Sequence, residues 1–370
     1  MTDLFKSLNI VLREDRKKFF FASLILIFVT LIEVFGLGLI SFLIINISDL
    51  PKAIDNSYFL NIIFSFFSLP PENSLIILSI FIVLYSIFSV ILSSIALNKL
   101  SIFAQVLGGR VKSRIADYFL NLEWIKIVGS KSSKNISRII NDGEEVSYVI
   151  NFSMLLFSRL ALTAVIISFL FVFNPPVTFF LVLVLSFSYL IIFFLFRSKY
   201  LINGIKTSQG LDKSLNMMSN MFGSMKEIIF FGSQKKVLSN LEKNYMDLAH
   251  VNGNNTALSQ MPRFFIDSII LIILVVGVTL ATNTEGDLTY FFTTVSIYGI
   301  AALKLLPAFQ NIFYFSSEIT QRKPHISNVT ELLAKNDRFE NIETEEVTFS
   351  GEILFNNVSY SWEGTENKSD

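Results

Sequence analysis

Apolar positions in this chain gather into six runs separated by polar, mostly basic sequence: Phe19 to Ile47, Ser74 to Leu97, Val149 to Phe173, Val177 to Phe196, Phe264 to Leu280 and Tyr290 to Phe313. Each is close to the ~20 residues a helix needs to cross a bilayer, so the pattern predicts six transmembrane helices. The helical signal outlasts the hydrophobicity. Ser74 to Leu122 taken as one α-helix runs roughly 74 Å against a ~30 Å hydrocarbon core, so more than half of it projects from the membrane. The projecting part sets Ile102, Val106, Val111, Ile115 and Phe119 at spacings that suit helix-on-helix packing. Proline, which breaks helix interiors, is absent between Pro71 and Pro175 and again between Pro176 and Pro262. Each tract therefore predicts a helical hairpin that leaves the bilayer and returns, with Gly108-Gly109 as a candidate kink in the first.

At the far end of each hairpin lies a short, turn-bounded segment that is apolar for a solvent-facing place: Asn121 to Gly129 (NLEWIKIVG) and Gly223 to Gly232 (GSMKEIIFFG). Trp124, Ile125, Ile127, Ile229, Phe230 and Phe231 would be exposed there unless covered, and such patches mark protein contacts. The alternative is that they pack on the chain's own helices. After the sixth run, Gln321 to Thr348 turns charged and polar, reads as a linker and carries an acidic stretch from Glu340 to Glu346. Gly351 to Trp362 (GEILFNNVSYSW) then alternates apolar and polar residues, the pattern of a first β-strand pair opening a soluble domain.

Composition agrees with a polytopic membrane protein: 52% of residues are hydrophobic and only 16% charged, with a mean hydropathy of +0.57. Zero net charge argues against a nucleic-acid partner, and the absence of cysteine excludes disulfides and thiolate metal sites. His250 and His325 make no metal constellation and read as exposed polar residues. The 39 phenylalanines read as lipid-facing or packing residues. Basic residues set the orientation. The N-terminal segment and the two long loops are rich in Lys and Arg, whereas the alternate loops hold only Lys52. By the positive-inside rule both termini and both long loops are cytoplasmic.

Ionisable residues inside apolar runs are expensive and mark cavities or pairs. Here they are Glu33, Arg159, Arg263, Asp267 and Lys304. Arg263 and Asp267 are four apart on one helical face and can neutralise each other. Arg263 and Arg159 are also placed to snorkel to an interface, the reading preferred for Arg159. Lys304 stands three residues before Pro307 and is expected to line a cavity or to pair with Glu33.

Taken together, the six long spans, the two apolar tips and the Asn-Val-Ser segment in the tail resemble the ABC exporter half-transporters. In that family a membrane domain of six long helices precedes a nucleotide-binding domain. The resemblance implies a membrane domain over residues 1–330, a linker over 331–348 and the start of the nucleotide-binding domain over 349–370. It implies that the two tips are coupling helices and that Trp362, or Tyr360 in the other register, stacks on the adenine of ATP. It also assigns Asp142, after Ile139-Ile140-Asn141, to an acidic position that follows the first coupling helix. Leu31 to Ile40 (LIEVFGLGLI), Met261 to Asp267 (MPRFFID) and Ser296 to Ile312 (SIYGIAALKLLPAFQNI) look like the bacterial lipid-linked oligosaccharide flippases. In those, basic cavity residues attract a diphosphate. Arg263 and Lys304 match that pattern, whereas Phe88 and Asn311 stand where arginines are expected.

The resulting expectation is an all-α polytopic membrane protein, the membrane subunit of an ATP-driven exporter or flippase. Glu33, Arg263, Asp267 and Lys304 would line a cavity for an amphiphilic substrate such as a lipid-linked oligosaccharide. ATP with Mg2+ is the implied cofactor, a second half-transporter (a homodimer) and a nucleotide-binding domain the implied partners, and the bacterial inner membrane the implied location. No GxxxxGK[ST] phosphate loop occurs in the sequence, so these residues alone are not expected to hydrolyse ATP, and Asp370 reads as a truncation point. The alternatives are an ion-coupled secondary transporter using Glu33, Asp267 and Lys304, and a non-transporting exporter relic.

Overall fold

The computed structural model describes residues 10–12, 15–46, 50–57, 74–122, 126–127, 132–282, 288–336, 351 and 354–358, with the side chains of 55, 266–267 and 269–296 outside that description. The elements are α1 (Arg16–Ile45), α2 (Leu50–Asn56), α3 (Ser74–Leu120), α4 (Ser132–Ser137), a π-helical turn (Arg138–Asp142), α5 (Gly143–Phe173), α6 (Pro175–Gly223), α7 (Met225–Phe230), α8 (Gln234–Thr282), α9 (Leu288–Gln321) and α10 (Lys323–Asn336). No strand occurs among the described residues. Among the described residues, four stretches are long and apolar enough to cross a membrane by length and composition: α1, α3, Ser132–Phe173 and α6.

The long helices form as the apolar runs and proline gaps predict. α3 has 47 residues and α6 and α8 have 49 each, about 70 Å or more at 1.5 Å per residue. α3 continues through Gly108-Gly109, and α8 and α9 continue through Pro262 and Pro307. The Pro175-Pro176 pair acts as a start signal. Asn174, extended at φ −150°, caps α6 by accepting from the Val177 amide at 3.3 Å, and the prolines occupy the first turn, where no donor is needed. The Thr178 hydroxyl lies 2.8 Å from the Leu170 and Asn174 carbonyls and 2.6 Å from the Tyr298 phenol, tying α9 to this tight α5–α6 turn.

Among the described residues, three apolar clusters hold the helices together. Leu39, Leu50, Ile54, Leu78 and Ile82 join α1, α2 and the start of α3. Leu162, Ile166, Leu170, Leu185, Ile297 and Leu305 join α5, α6 and α9. The third cluster joins the polar extension of α3 to the start of α5, where Ala104, Leu107, Val111 and Ile115 of α3 meet Val146, Val149, Ile150 and Met154 of α5. Outside these seams the apolar windows stay open: only 11–33% of their residues are buried. That apolar surface needs lipid or another apolar partner as its solvent.

Two glycines permit the tightest helix crossings. A Cβ on Gly108 would lie 1.5 Å from Ser147 Oγ, bringing α3 and α5 into contact. A Cβ on Gly204 would lie 2.0 Å from the Gln321 carbonyl oxygen, so α6 rests directly on the backbone at the end of α9.

The segment read as a linker begins as a helix. α10 buries Ile326, Val329, Leu332 and Leu333 in the third cluster, on one amphipathic face. In the tail read as a strand pair, Gly351 and residues 354–358 carry no strand, with Leu354 and Phe355 exposed; the remainder lies outside the described residues.

Candidate functional site

A cavity of about 310 Å³ opens between α1, α3, α5 and α9 in their apolar portions. Its wall combines aliphatic side chains with Glu33 from α1, Arg159 from α5 and Lys304 from α9. Lys304 donates to Glu33 Oε1, forming an ion pair whose two side chains are 39% and 25% exposed. Such a pair, made in a low-dielectric setting yet open to the cavity, is held together more by the lack of other partners than by any large net gain.

The remaining polar lining comes mainly from hydroxyls. Ser86, Ser89, Ser93 and Ser94 follow helical spacing along one side of α3. The Ser86 and Ser94 hydroxyls bond back to the Ile82 and Val90 carbonyls at 2.8 Å each. Across from them Thr30 donates to the Leu26 carbonyl at 2.8 Å and lies 2.9 Å from Ser158 Oγ, a contact joining α1 to α5. Tyr85 donates to the Ile32 carbonyl at 2.6 Å and its ring lies against Gly36, where a Cβ would approach it to 3.2 Å. This contact ties α1 to α3 beside the cavity.

Arg159 changes the electrostatics. Its side chain finds no hydrogen-bond or ion-pair partner among the described residues, and it shares the cavity with the Glu33–Lys304 pair. With that pair neutral overall, the ionisable lining carries one excess positive charge, which in an apolar surround favours an anionic group bearing acceptors for the guanidinium.

Of the residues expected to line a cavity, the structure brings Glu33 and Lys304 together. Arg263 is exposed on α8 and does not line this cavity, and the Asp267 side chain lies outside the described residues. Arg159 was expected to snorkel; it lines the cavity instead. The signal for it was present in the sequence as Ser158-Arg159 in an apolar run, with the serine side of α3 as its counterpart.

The second apolar tip folds as a discrete element. α7 ends in a reverse turn in which the Ser233 amide donates to the Ile228 carbonyl at 3.0 Å and the Gly232 amide to the Ile229 carbonyl at 3.2 Å. Gly232 takes φ +62°, the left-handed conformation this helix end requires. The turn leaves Ile229, Phe230 and Phe231 59%, 82% and 75% exposed, the two rings edge to face at 5.3 Å. In the first tip, Trp124 and Ile125 lie outside the described residues and Ile127 is partly buried. Tyr360 and Trp362, the expected adenine platform, also lie outside them. His250 is exposed as expected, but His325 is 3% exposed and bonded to Asp142 at 2.6 Å. No protein-family model matches the chain.

Proposed function

We propose that this chain is the membrane part of an ATP-driven exporter or flippase with six transmembrane helices, lying in the bacterial inner membrane with both termini in the cytoplasm. The observation that carries the reading is the pairing of long helices that outrun a bilayer with an exposed aromatic tip at the far end of one hairpin. A tip with Phe230 and Phe231 in water is unfavourable by itself, whereas a nucleotide-binding domain docked there covers both rings. The long continuous helices would then carry the motion of that domain to the membrane cavity.

The substrate in this reading is an amphiphile with an anionic head, of the lipid-linked oligosaccharide kind. Arg159 and Lys304 meet its charge, the serine side of α3 meets its hydroxyls, and its tail stays in the lipid beside α1 and α3. Arg263 is not needed for that role. The working form is a homodimer, in which a second copy covers part of the open apolar surface. ATP with Mg2+ supplies the energy through the nucleotide-binding domain, for which Trp362, or Tyr360 in the other register, would provide the adenine contact.

The test is ATP-driven movement of a fluorescent diphosphate lipid in proteoliposomes of the full-length protein. Phe230→Asp with Phe231→Asp should leave the apolar segments inserted but lower transport by on the order of 10-fold or more, as expected when an aromatic docking pair is lost. Transport at the unmodified rate in that double variant refutes the docking role. Unchanged transport after Arg159→Ala with Lys304→Ala refutes the anionic substrate, and movement driven by an ion gradient without ATP favours a secondary transporter.

A further inference from the structure

Asp142 is a buried carboxylate that neither the cavity nor the tip uses. It closes the π-helical turn Arg138–Asp142. His325 Nδ1 lies 2.6 Å from its Oδ1, and the Asn328 side-chain amide donates to Oδ2 at 3.1 Å. The Asp142 and His325 side chains are only 5% and 4% exposed. Both partners come from α10, which also packs through the apolar face of Ile326, Val329, Leu332 and Leu333. Apolar contacts are non-directional and tolerate a helix sliding or rotating by a fraction of a turn. A buried carboxylate with both oxygens engaged tolerates one register, because any slip leaves a charge without partners in a dry site.

The π turn separates two sets of anchors. On its N-terminal side, Ser137 donates to Asp212 at 2.5 Å and Ser133 to Asn216 at 3.2 Å, fastening α4 to α6. At its C-terminal end, Asp142 fastens α5 to α10, and Arg322 at the α9–α10 junction adds a Coulombic contact to Glu145 at 2.6 Å. α6 is also held to this body directly, by Leu185 and Tyr189 in the α5–α6–α9 cluster and by Gly204 against the end of α9, so the turn lies inside one packed unit.

We propose that Asp142, His325 and Asn328 form a latch that locks α10 in register on α5. The latch makes the segment leaving α9 move with α5 and α3 as one body. It stands on the geometry alone, independently of the transport reading above.

Hydrogen–deuterium exchange of the full chain in lipid nanodiscs tests it. His325→Ala should raise exchange across 323–336 and 138–142 by on the order of 100-fold, while amides of 146–154 keep their protection, because a buried pair is broken locally. Asn328→Ala should give a smaller rise in the same two segments. Asp142→Asn retains an acceptor for the imidazole N–H and, with the Asn328 amide turned over, should stay within about tenfold of the unmodified chain. Unchanged exchange in 323–336, an equal rise in all segments, or Asp142→Asn behaving like His325→Ala would each overturn the proposal.

Discussion

Replacing Gly204 by alanine puts a methyl group where α6 meets the backbone end of α9. The added Cβ would stand 2.0 Å from the Gln321 carbonyl oxygen, 2.9 Å from its carbonyl carbon and 3.2 Å from its Cα. All three are backbone atoms of a helix end, so no side chain can swing away. Carbon and oxygen settle no closer than about 3.3 Å, so the helices must part by roughly an ångström at this crossing. α8 bridges the two helices at this level, bonded to α6 through Tyr200 to the Leu258 carbonyl at 2.9 Å and Asn203 to Asn255 at 2.8 Å, and to α9 through Gln321 to Ser259 at 3.2 Å, so parting them strains one set or the other. Overpacking costs about 1–3 kcal/mol, and weakening one or two hydrogen bonds adds about 1 kcal/mol, for an expected loss of about 3 kcal/mol. Gly109→Ala is the control, because its Cβ meets nothing within 4 Å on α3, and the higher helix propensity of alanine favours it by up to about 1 kcal/mol. Reversible denaturant unfolding in mixed micelles reads both. If Gly204→Ala unfolds at the same denaturant concentration as Gly109→Ala, the backbone contact between α6 and α9 is wrong.

Two further expectations concern charge. The Arg110 guanidinium, 2.6 Å from both oxygens of Asp15, and to a lesser degree Lys18, hold the Asp15 carboxyl below the ordinary carboxylate range despite its burial. The folded chain therefore binds this proton less readily than the unfolded one. Its stabilisation is complete above the ordinary aspartate pKa and is lost as pH falls through the lower folded value. Because Arg110 is half exposed, the contribution is on the order of 1 kcal/mol. Asp15→Asn should flatten the acid limb of the stability–pH curve, and an unchanged limb counts against the pairing. For Glu33 and Lys304, a double-mutant cycle to alanine should show a coupling of about 1 kcal/mol in unfolding measurements, with the double variant more stable than the sum of the singles predicts. Strict additivity would mean the two side chains do not meet.

The apolar runs were enough to place the long helices, because hydrophobic length acts locally and needs no partner; of the prolines only Pro175-Pro176 marked a boundary, since α8 and α9 run through Pro262 and Pro307. The α7 tip was legible for the same reason: a short apolar segment closed by Gly232 announces its own helix end. Glu33 and Lys304 were also foreseeable as a pair, since charges buried in apolar helices must find each other. What only the tertiary structure decided is which helices meet and at what angle around their axes. Rotation by one residue moves a side chain about 100° around its helix, and that angle places Arg159 on the cavity while Arg263 stays on an exposed side of α8. The same applies to His325, which looks like a surface histidine until α10 turns it onto Asp142, a residue far away in sequence but 2.6 Å away in space. Local chemistry selects the helices, and packing between distant segments selects which of their charges are paired, buried or left facing the cavity.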